Sequence, residues 1–280
     1  FFIILSLNIF FFSTANLNAK AFLIEDIEIS EPFKNSFDKN SLINKGFENA
    51  FFKLINSLVK SSDIKRINKV KLNEIKSMIE SFSIKEEKFI NQIYYVNLGV
   101  SFDKKKIFNY LEKKNIFPSQ IKQEKFLFLP LIIDQNTSDI IVYANNPLYE
   151  KWNLDSNKNH LINFLLPTED LEDLNIIKKN IDNIENYNFE EIIKKYFLDN
   201  YIIALFFKDD NQIKVLSKIN IKEKKVIKSN SFENIDLENN EDLNELIGSL
   251  KIIYEDFWKE NNLINTSIKL PLLIQVDNND

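Results

Sequence analysis

His160 is the only histidine among the 280 residues, and the chain has no cysteine. A general base or a transition-metal site usually draws on imidazole or thiolate. With one His and no Cys, most zinc sites and every cysteine nucleophile are ruled out by composition. His160 stands just before an apolar stretch, and we read it as solvent-facing or structural. The densest grouping of reactive side chains is Glu169-Asp170-Leu171-Glu172-Asp173. Grouped carboxylates can hold calcium or magnesium through oxygen ligands. The same acids also suit the first turn of a helix, where they meet the positive end of its dipole, and Asp170 and Asp173 lie one turn apart. The glycine that an EF-hand loop requires is missing, so we take the helix-start reading. Asp209-Asp210-Asn211 reads as a turn by the same local bonding of Asp and Asn to backbone.

Gly46, Gly99 and Gly248 are the only glycines. No G-x-S-x-G elbow, G-x-G-x-x-G loop or P-loop can therefore be written from this chain. The expectation is no catalytic residue, no bound metal and no cofactor. Two readings stay open. Paired carboxylates for glycoside cleavage depend on a separation in space, which sequence does not give. Tyr94, Tyr95, Tyr149, Trp152 and Trp258 either line a ligand groove or fill a core, and core is the commoner use of aromatics at such spacings.

The elements that would position these residues follow from periodicity. Phe22 to Ser30 reads as a strand, and Asp38 to Lys60 as a helix with a wide apolar stripe at period 3.6. Gly46 inside that helix costs about 1 kcal/mol against Ala, and its use would be the close approach of another element. A second helix is expected over Leu72 to Phe82. Tyr94, Val96, Leu98, Val100 and Phe102 alternate as a half-buried strand does, and Asp103 is placed to cap a helix from Lys104 to Lys114. Residues 22–117 thus read as a β-α-α-β-α domain, with the boundary at Pro118 and the polar run after it.

A second domain is expected over 125–262. It opens on Lys125 to Ile133, an unbroken apolar run that suits a strand buried on both faces. Asp139 to Ala144 reads as a strand. Asn146-Pro147 is an N-cap and N1 pair for a short helix carrying Tyr149 and Trp152. Leu161 to Leu166 reads as a strand. Thr168 is read as the cap of the acidic helix, and a further helix as running from Asn188 to Phe197. Tyr201 to Phe207 and Ile213 to Ile219 form a hairpin, another strand falls within 222–240, and Leu243 to Trp258 is a long amphipathic helix. The fold class is α+β or α/β: two small mixed domains, each a sheet packed on helices. Ile268 to Val276 reads as one more strand, the start of a further, truncated domain over 263–280.

The address comes from the other end. Phe1 to Phe12 is apolar, small and polar residues follow, and Ala19-Lys20-Ala21 closes the segment as an A-x-A cleavage site. This is the shape of a secretory signal peptide over 1–21, the sequence beginning inside it, and it implies a periplasmic protein. The alternative is an inner-membrane anchor through residues 1–12, which fall short of the ~20 apolar residues that a span requires. Arg66 is the only arginine, and no basic cluster stands out from a net charge of −5. Sequence-specific nucleic-acid reading favours Arg, so the composition argues against it.

The order of motifs resembles the family catalogued as domain of unknown function 2066, exported proteins of Gram-negative bacteria. The similar features are FLIEDIEIS, KGFENAFFKLINSLV, YYVNLGVSFDKKKIFNYL, FLFLPLII, NNPLYEKWN, LLPTEDLEDL and KKYFLDNYIIALFF. Pro130, Pro147, Trp152, Pro167, Asp170, Leu171, Asp173 and Leu174 match the family's spaced positions, and Tyr149 stands where an aromatic is usual. The likeness covers residues 22 to about 220. The FLFLPLII to KKYFLDNYIIALFF unit is also similar to the α/β domain that opens TolB and occurs in LpoB-type and CsgG-type envelope proteins. The first resemblance carries no activity. The second implies binding to other envelope proteins.

The expected function is accordingly a non-enzymatic protein-interaction module of the cell envelope, with Pro147, Tyr149, Trp152, Asp170 and Asp173 as the candidate interaction segment. Two alternatives stand beside it: a binder of a small apolar molecule or peptide, and a carboxylate-based hydrolase of envelope glycans.

Overall fold

The computed structural model describes residues 21–154, 160–210 and 212–264. The signal-peptide and anchor readings over 1–20, and the strand expected at Ile268 to Val276, lie outside the described residues. The protein is a mixed α+β chain that divides into two compact units, each with its own sheet. Among the described residues the first unit takes 21–54 and 69–114, and the second takes 55–68 and everything from 115 onward. Sequence placed the boundary at Pro118 alone; the stretch 55–68 groups with the second unit instead.

The first unit holds a three-stranded antiparallel sheet in the order β1-β3-β2, formed by β1 (Ala21–Pro32), β2 (Ile79–Ile90) and β3 (Ile93–Asp103). Helix α1 (Lys39–Leu58) lays Phe47, Ala50, Phe51 and Leu54 on one face of the sheet, against Val96, Leu98, Val100 and Phe102 of β3. These positions recur at helical and strand period respectively, which is why both elements were readable. Gly46 permits the close approach: a Cβ there would run into Leu98 Cδ1 and come within 3.0 Å of Ile29 Cδ1.

The expected helix Leu72 to Phe82 is corrected. After the short α2 (Ser61–Ile64), helix α3 (Leu72–Met78) stops at Met78, and Ile79 turns extended to begin β2. That strand is missing from the expected β-α-α-β-α order. It joins β3 through Asn91 and Gln92, both at positive φ (52° and 60°), as a two-residue hairpin of the primed type requires. Asp103 caps α4 (Lys104–Glu112) by accepting from the Lys106 N–H at 3.0 Å.

Among the described residues the second unit is a sheet of six strands with helices packed on both faces. Its central strand β4 (Glu124–Asp134) pairs in parallel with β7 (Tyr201–Lys208) on one side. On the other side it meets β6 (Ile162–Leu165), parallel, and β5 (Ile140–Ile141), antiparallel. The strands β8 (Gln212–Ile221) and β9 (Lys224–Glu233) continue from β7 as an antiparallel meander. The strand expected over Asp139 to Ala144 shrinks to Ile140–Ile141, because a 3-10 turn takes over at Tyr143.

The two faces of β4 fill two cores. Phe126, Phe128 and Ile132 point to α5 (Pro147–Lys151) and the long helix α8 (Asn240–Glu260). Leu127, Leu129, Leu131 and Ile133 point to α6 (Leu171–Lys179) and α7 (Glu190–Lys194). Burial on both faces explains the unbroken apolar run. The same geometry places Pro130. Leu127 donates its N–H toward β7, to the Asn200 carbonyl, so the even-numbered residues of β4 turn theirs the other way. There β6 pairs only to Leu127 and β5 only from Ile132, so the missing N–H of Pro130 falls in a gap where no strand asks for it.

The stretch 55–68 is tied to α8 by polar contacts. Buried Lys259 donates to the carbonyls of Asn56 and Val59 at 2.6 and 3.0 Å. Asp256 accepts from the Ser61 N–H at 2.8 Å and from its hydroxyl. Burial pushes the Lys259 ammonium below its ordinary value, partly offset by Glu255 and Asp256.

Candidate functional site

Asn146, before the N-terminus of α5, is fully buried, and its three side-chain contacts are all to backbone. Its Oδ1 accepts from the Leu148 N–H at 2.9 Å, and its Nδ2 donates to the carbonyls of Pro130 and Ile141 at 3.1 and 3.4 Å. The amide thus caps α5 and fills the gap beside Pro130, and Pro147 sits at N1, where its fixed φ suits a helix start. Trp152 takes the core role that is the commoner use of such aromatics. It is fully buried, stacked on Phe128 at 3.9 Å and edge-on to Phe164 at 5.4 Å.

Asp170 and Asp173 do come together, with a partner that sequence reasoning missed. Asp170, and not Thr168, is the N-cap of α6; its Oδ1 accepts from the N–H groups of Glu172 and Asp173 at 2.8 and 3.2 Å. The Lys195 ammonium bridges the two acids, 2.9 Å from Asp170 Oδ2 and 2.7 Å from Asp173 Oδ1. Lys195 and the helix-start N–H groups hold the Asp170 carboxyl below its ordinary range, and the two acids push the Lys195 ammonium up. Thr168 instead gives its N–H to the Tyr196 hydroxyl at 3.1 Å. The reason for the miss is physical: Lys195 lies in a lysine-rich segment, and only the tertiary fold selects it.

Tyrosines surround this clamp. Tyr143 is buried, with its backbone at φ 56°, a left-handed conformation that costs a bulky residue on the order of 1–2 kcal/mol. Its ring meets that of Tyr149 edge-on at 5.8 Å. Burial raises both hydroxyls far above the usual tyrosine value, and the charges of Asp173 and Asp170 add to the effect at Tyr143. The hydroxyls of Tyr143 and Tyr149 and the Oδ2 of Asp173 are buried without a hydrogen-bond partner in the protein. Of the three clamp residues only Asp173 is buried; Lys195 and Asp170 reach it from the surface.

A groove of about 680 Å³ is lined by Asp134, Ser138, Asp139, Tyr143, Glu169 and Lys178, among others. It lies at the C-terminal end of β4, where the chain turns back into β5 on the side of β6 while β7 stands on the other. Open α/β sheets place their ligands at this kind of switch point. Three carboxylates, Asp134, Asp139 and Glu169, and one ammonium, Lys178, are among its lining residues. Backbone N–H groups of Thr137 and Asn136 bond the Asp134 carboxylate at 3.1 and 2.9 Å and hold its pKa below the ordinary range, with Lys208 4.0 Å away. That environment suits a standing negative charge and not a proton donor, which needs a raised pKa. Among the described residues no three His, Cys, Asp or Glu side chains gather as a metal cage. His160 pairs its Nδ1 with Glu255 Oε1 at 2.8 Å, and the Leu161 N–H meets the same oxygen at 3.1 Å, so it ties the start of β6 to α8.

No protein-family model matches the chain, and no curated protein matches it.

Proposed function

We propose that this is an exported, non-enzymatic binding protein of the bacterial cell envelope, and that the second unit holds a basic segment of a partner envelope protein in the groove at the end of β4. The observation that carries the reading is the lining of that groove, in which the carboxylates of Asp134, Asp139 and Glu169 outnumber the ammonium of Lys178 even with Lys208 4.0 Å from Asp134. Concave walls of one sign concentrate field and attract the opposite charge. The Asp170–Lys195–Asp173 ion pairs next to Glu169 support it, since contacts that hold a surface in place beforehand lower the cost of binding. The order of motifs and the apolar opening of the chain support the envelope as its place of work.

The test is a photoreactive residue in place of Ser138, cross-linked in intact cells, with and without Asp139→Lys and Glu169→Lys. The expected result is a defined set of adducts that charge reversal removes. Adducts indifferent to the reversal, or none, overturn the reading. A second reading, a small cationic molecule or peptide in the same groove, is favoured by its volume, which falls in the range of ligand pockets. It predicts that such a compound raises the melting temperature of the purified protein and that Glu169→Lys abolishes the rise.

A further inference from the structure

The first unit ends on an open edge. Every residue of β2 after Ile79 is exposed over the strand Ile79–Ile90, Phe82, Phe89 and Ile90 by about half. Among the described residues no strand pairs with its outer side. Twelve residues of unpaired backbone with exposed Phe and Ile are a template for another strand. Bulges ordinarily blunt such an edge, and the pairing with β3 shifts twice: at the start of the strand between Ile79 and Ser81, and in its middle between Ile84 and Glu86, a bulge at Lys85. A regular partner cannot follow a bulge. An identical strand running antiparallel carries the same bulge and can.

The side-chain pattern fits this case. Phe82, Ile84, Glu87 and Phe89 stand opposite Val100, Leu98, Val96 and Tyr94 and so share the face that α1 covers; Ser83, Glu86 and Lys88 stand opposite Gly99, Asn97 and Tyr95 on the other face. Read outward from the Lys85-Glu86 bond, the sequence of faces is the same in both directions. A two-fold axis at that bond therefore pairs Phe82 with Phe89, Ile84 with Glu87, Ser83 with Lys88 and Lys85 with Glu86, each pair on one face. Sliding the copies by two residues in either direction takes the two bulges out of line, and one of the two slides sets Lys85 against Lys88, like charges that disfavour that register. Lys85 itself crosses over Gly99 to reach Glu25 at 2.7 Å and Asp26 at 3.4 Å, and leaves the outer edge clear.

We infer that the chain forms a symmetric dimer through β2, two copies pairing antiparallel about the Lys85-Glu86 bond so that two three-stranded sheets join as one of six strands. Closed two-fold pairing of this kind uses up the edge on both copies. The inference stands on the first unit and is independent of the groove in the second.

The natural absence of cysteine makes the test direct. Directly opposed residues of antiparallel strands lie within disulfide reach, whereas positions 83 and 88 of a single strand lie far outside it. The full chain is measured by light scattering over a dilution series, and Ser83→Cys/Lys88→Cys is oxidised beside each single variant, after matching melting curves under reduction. A mass of two chains, with a covalent dimer from the double variant and none from Ser83→Cys or Lys88→Cys alone, is the expected result. A single-chain mass at every concentration overturns the dimer. A dimer that the double variant fails to lock, or that a single variant locks, overturns β2 pairing in this register.

Discussion

The side-chain amide of Asn146 donates to the carbonyl of Pro130 at 3.1 Å, across the gap that β5 and β6 leave along β4. Two residues that read as separate signals, a proline inside an apolar strand and an Asn-Pro pair before a short helix, are thus one device. Asn146→Ala removes the α5 cap, worth about 1 kcal/mol. It also leaves buried carbonyls unpaired, at about 1–3 kcal/mol. Urea melts should show the sum as a lower midpoint with an unchanged slope. Asn146→Asp keeps the cap oxygen but turns a carboxylate toward the Pro130 and Ile141 carbonyls, and should cost at least as much.

Trp152 and Tyr149, neighbours on the α5 segment, should respond in opposite directions. Trp152→Ala empties the space over Phe128 and should cost about 3–5 kcal/mol. The Tyr149 hydroxyl is buried without a partner, so Tyr149→Phe discards a desolvated polar group and should be neutral or stabilising by up to about 1 kcal/mol. Thermal unfolding of the two variants checks both signs.

The elements legible in the sequence are those whose own side chains pay for their burial; the strands β4 and β7 and the helices α1 and α8 wrote their environment into a run or a period. β2 was not legible, because no face of it is buried deeply enough to impose alternation, and its Lys and Glu residues favour helix as readily. Its conformation is set by β3. The Asp170–Asp173 pair was visible as a helix start, but the choice of Lys195 over Lys194 is made by packing that no local pattern encodes. Thr168 and Asp170 are both good caps, and only the turn between Pro167 and Leu171 decides between them.

Lys195 neutralises Asp173, whose side chain is only 1% exposed. Lys195→Met leaves that carboxylate buried and uncompensated, so it should lower the melting temperature more than Lys194→Met, which breaks only an exposed pair with Glu190 at 3.7 Å. Adding Asp173→Leu to Lys195→Met should recover most of the loss, because replacing both members of a buried pair is milder than removing one. A double-mutant cycle by differential scanning calorimetry gives the coupling, and simple additivity would argue against the clamp.

Gly46→Ala sets two effects against each other. Alanine gains about 1 kcal/mol of helix propensity in α1. The new methyl collides with Leu98 Cδ1 and crowds Ile29 Cδ1 in a filled core, and overpacking typically costs about 1–3 kcal/mol. The collision should prevail and the variant should be less stable. Gly248 offers the control: a Cβ there meets nothing within 4 Å, so Gly248→Ala should stabilise by about 1 kcal/mol. Chemical denaturation of the pair tests the comparison directly.

The clamp also fixes how stability depends on pH. The folded-state pKa of Asp170 lies below its ordinary 3.8, so its contribution is present above that value and is lost as pH falls through the lowered one. Asp134, held down by the N–H groups of Thr137 and Asn136, acts with the same sign. Lys195 is raised above its ordinary 10.5, so its contribution is complete below that value and declines as pH rises beyond it. Between the two windows these groups contribute a plateau. Asp170→Asn should therefore flatten the acid limb without abolishing it, since Asp134 remains, and Asp134→Asn added to it should flatten it further. Urea midpoints taken from about pH 5 to about pH 2 measure both steps. An acid limb as steep in Asp170→Asn as in the unsubstituted protein would mean that the carboxylate is not held by Lys195 in solution.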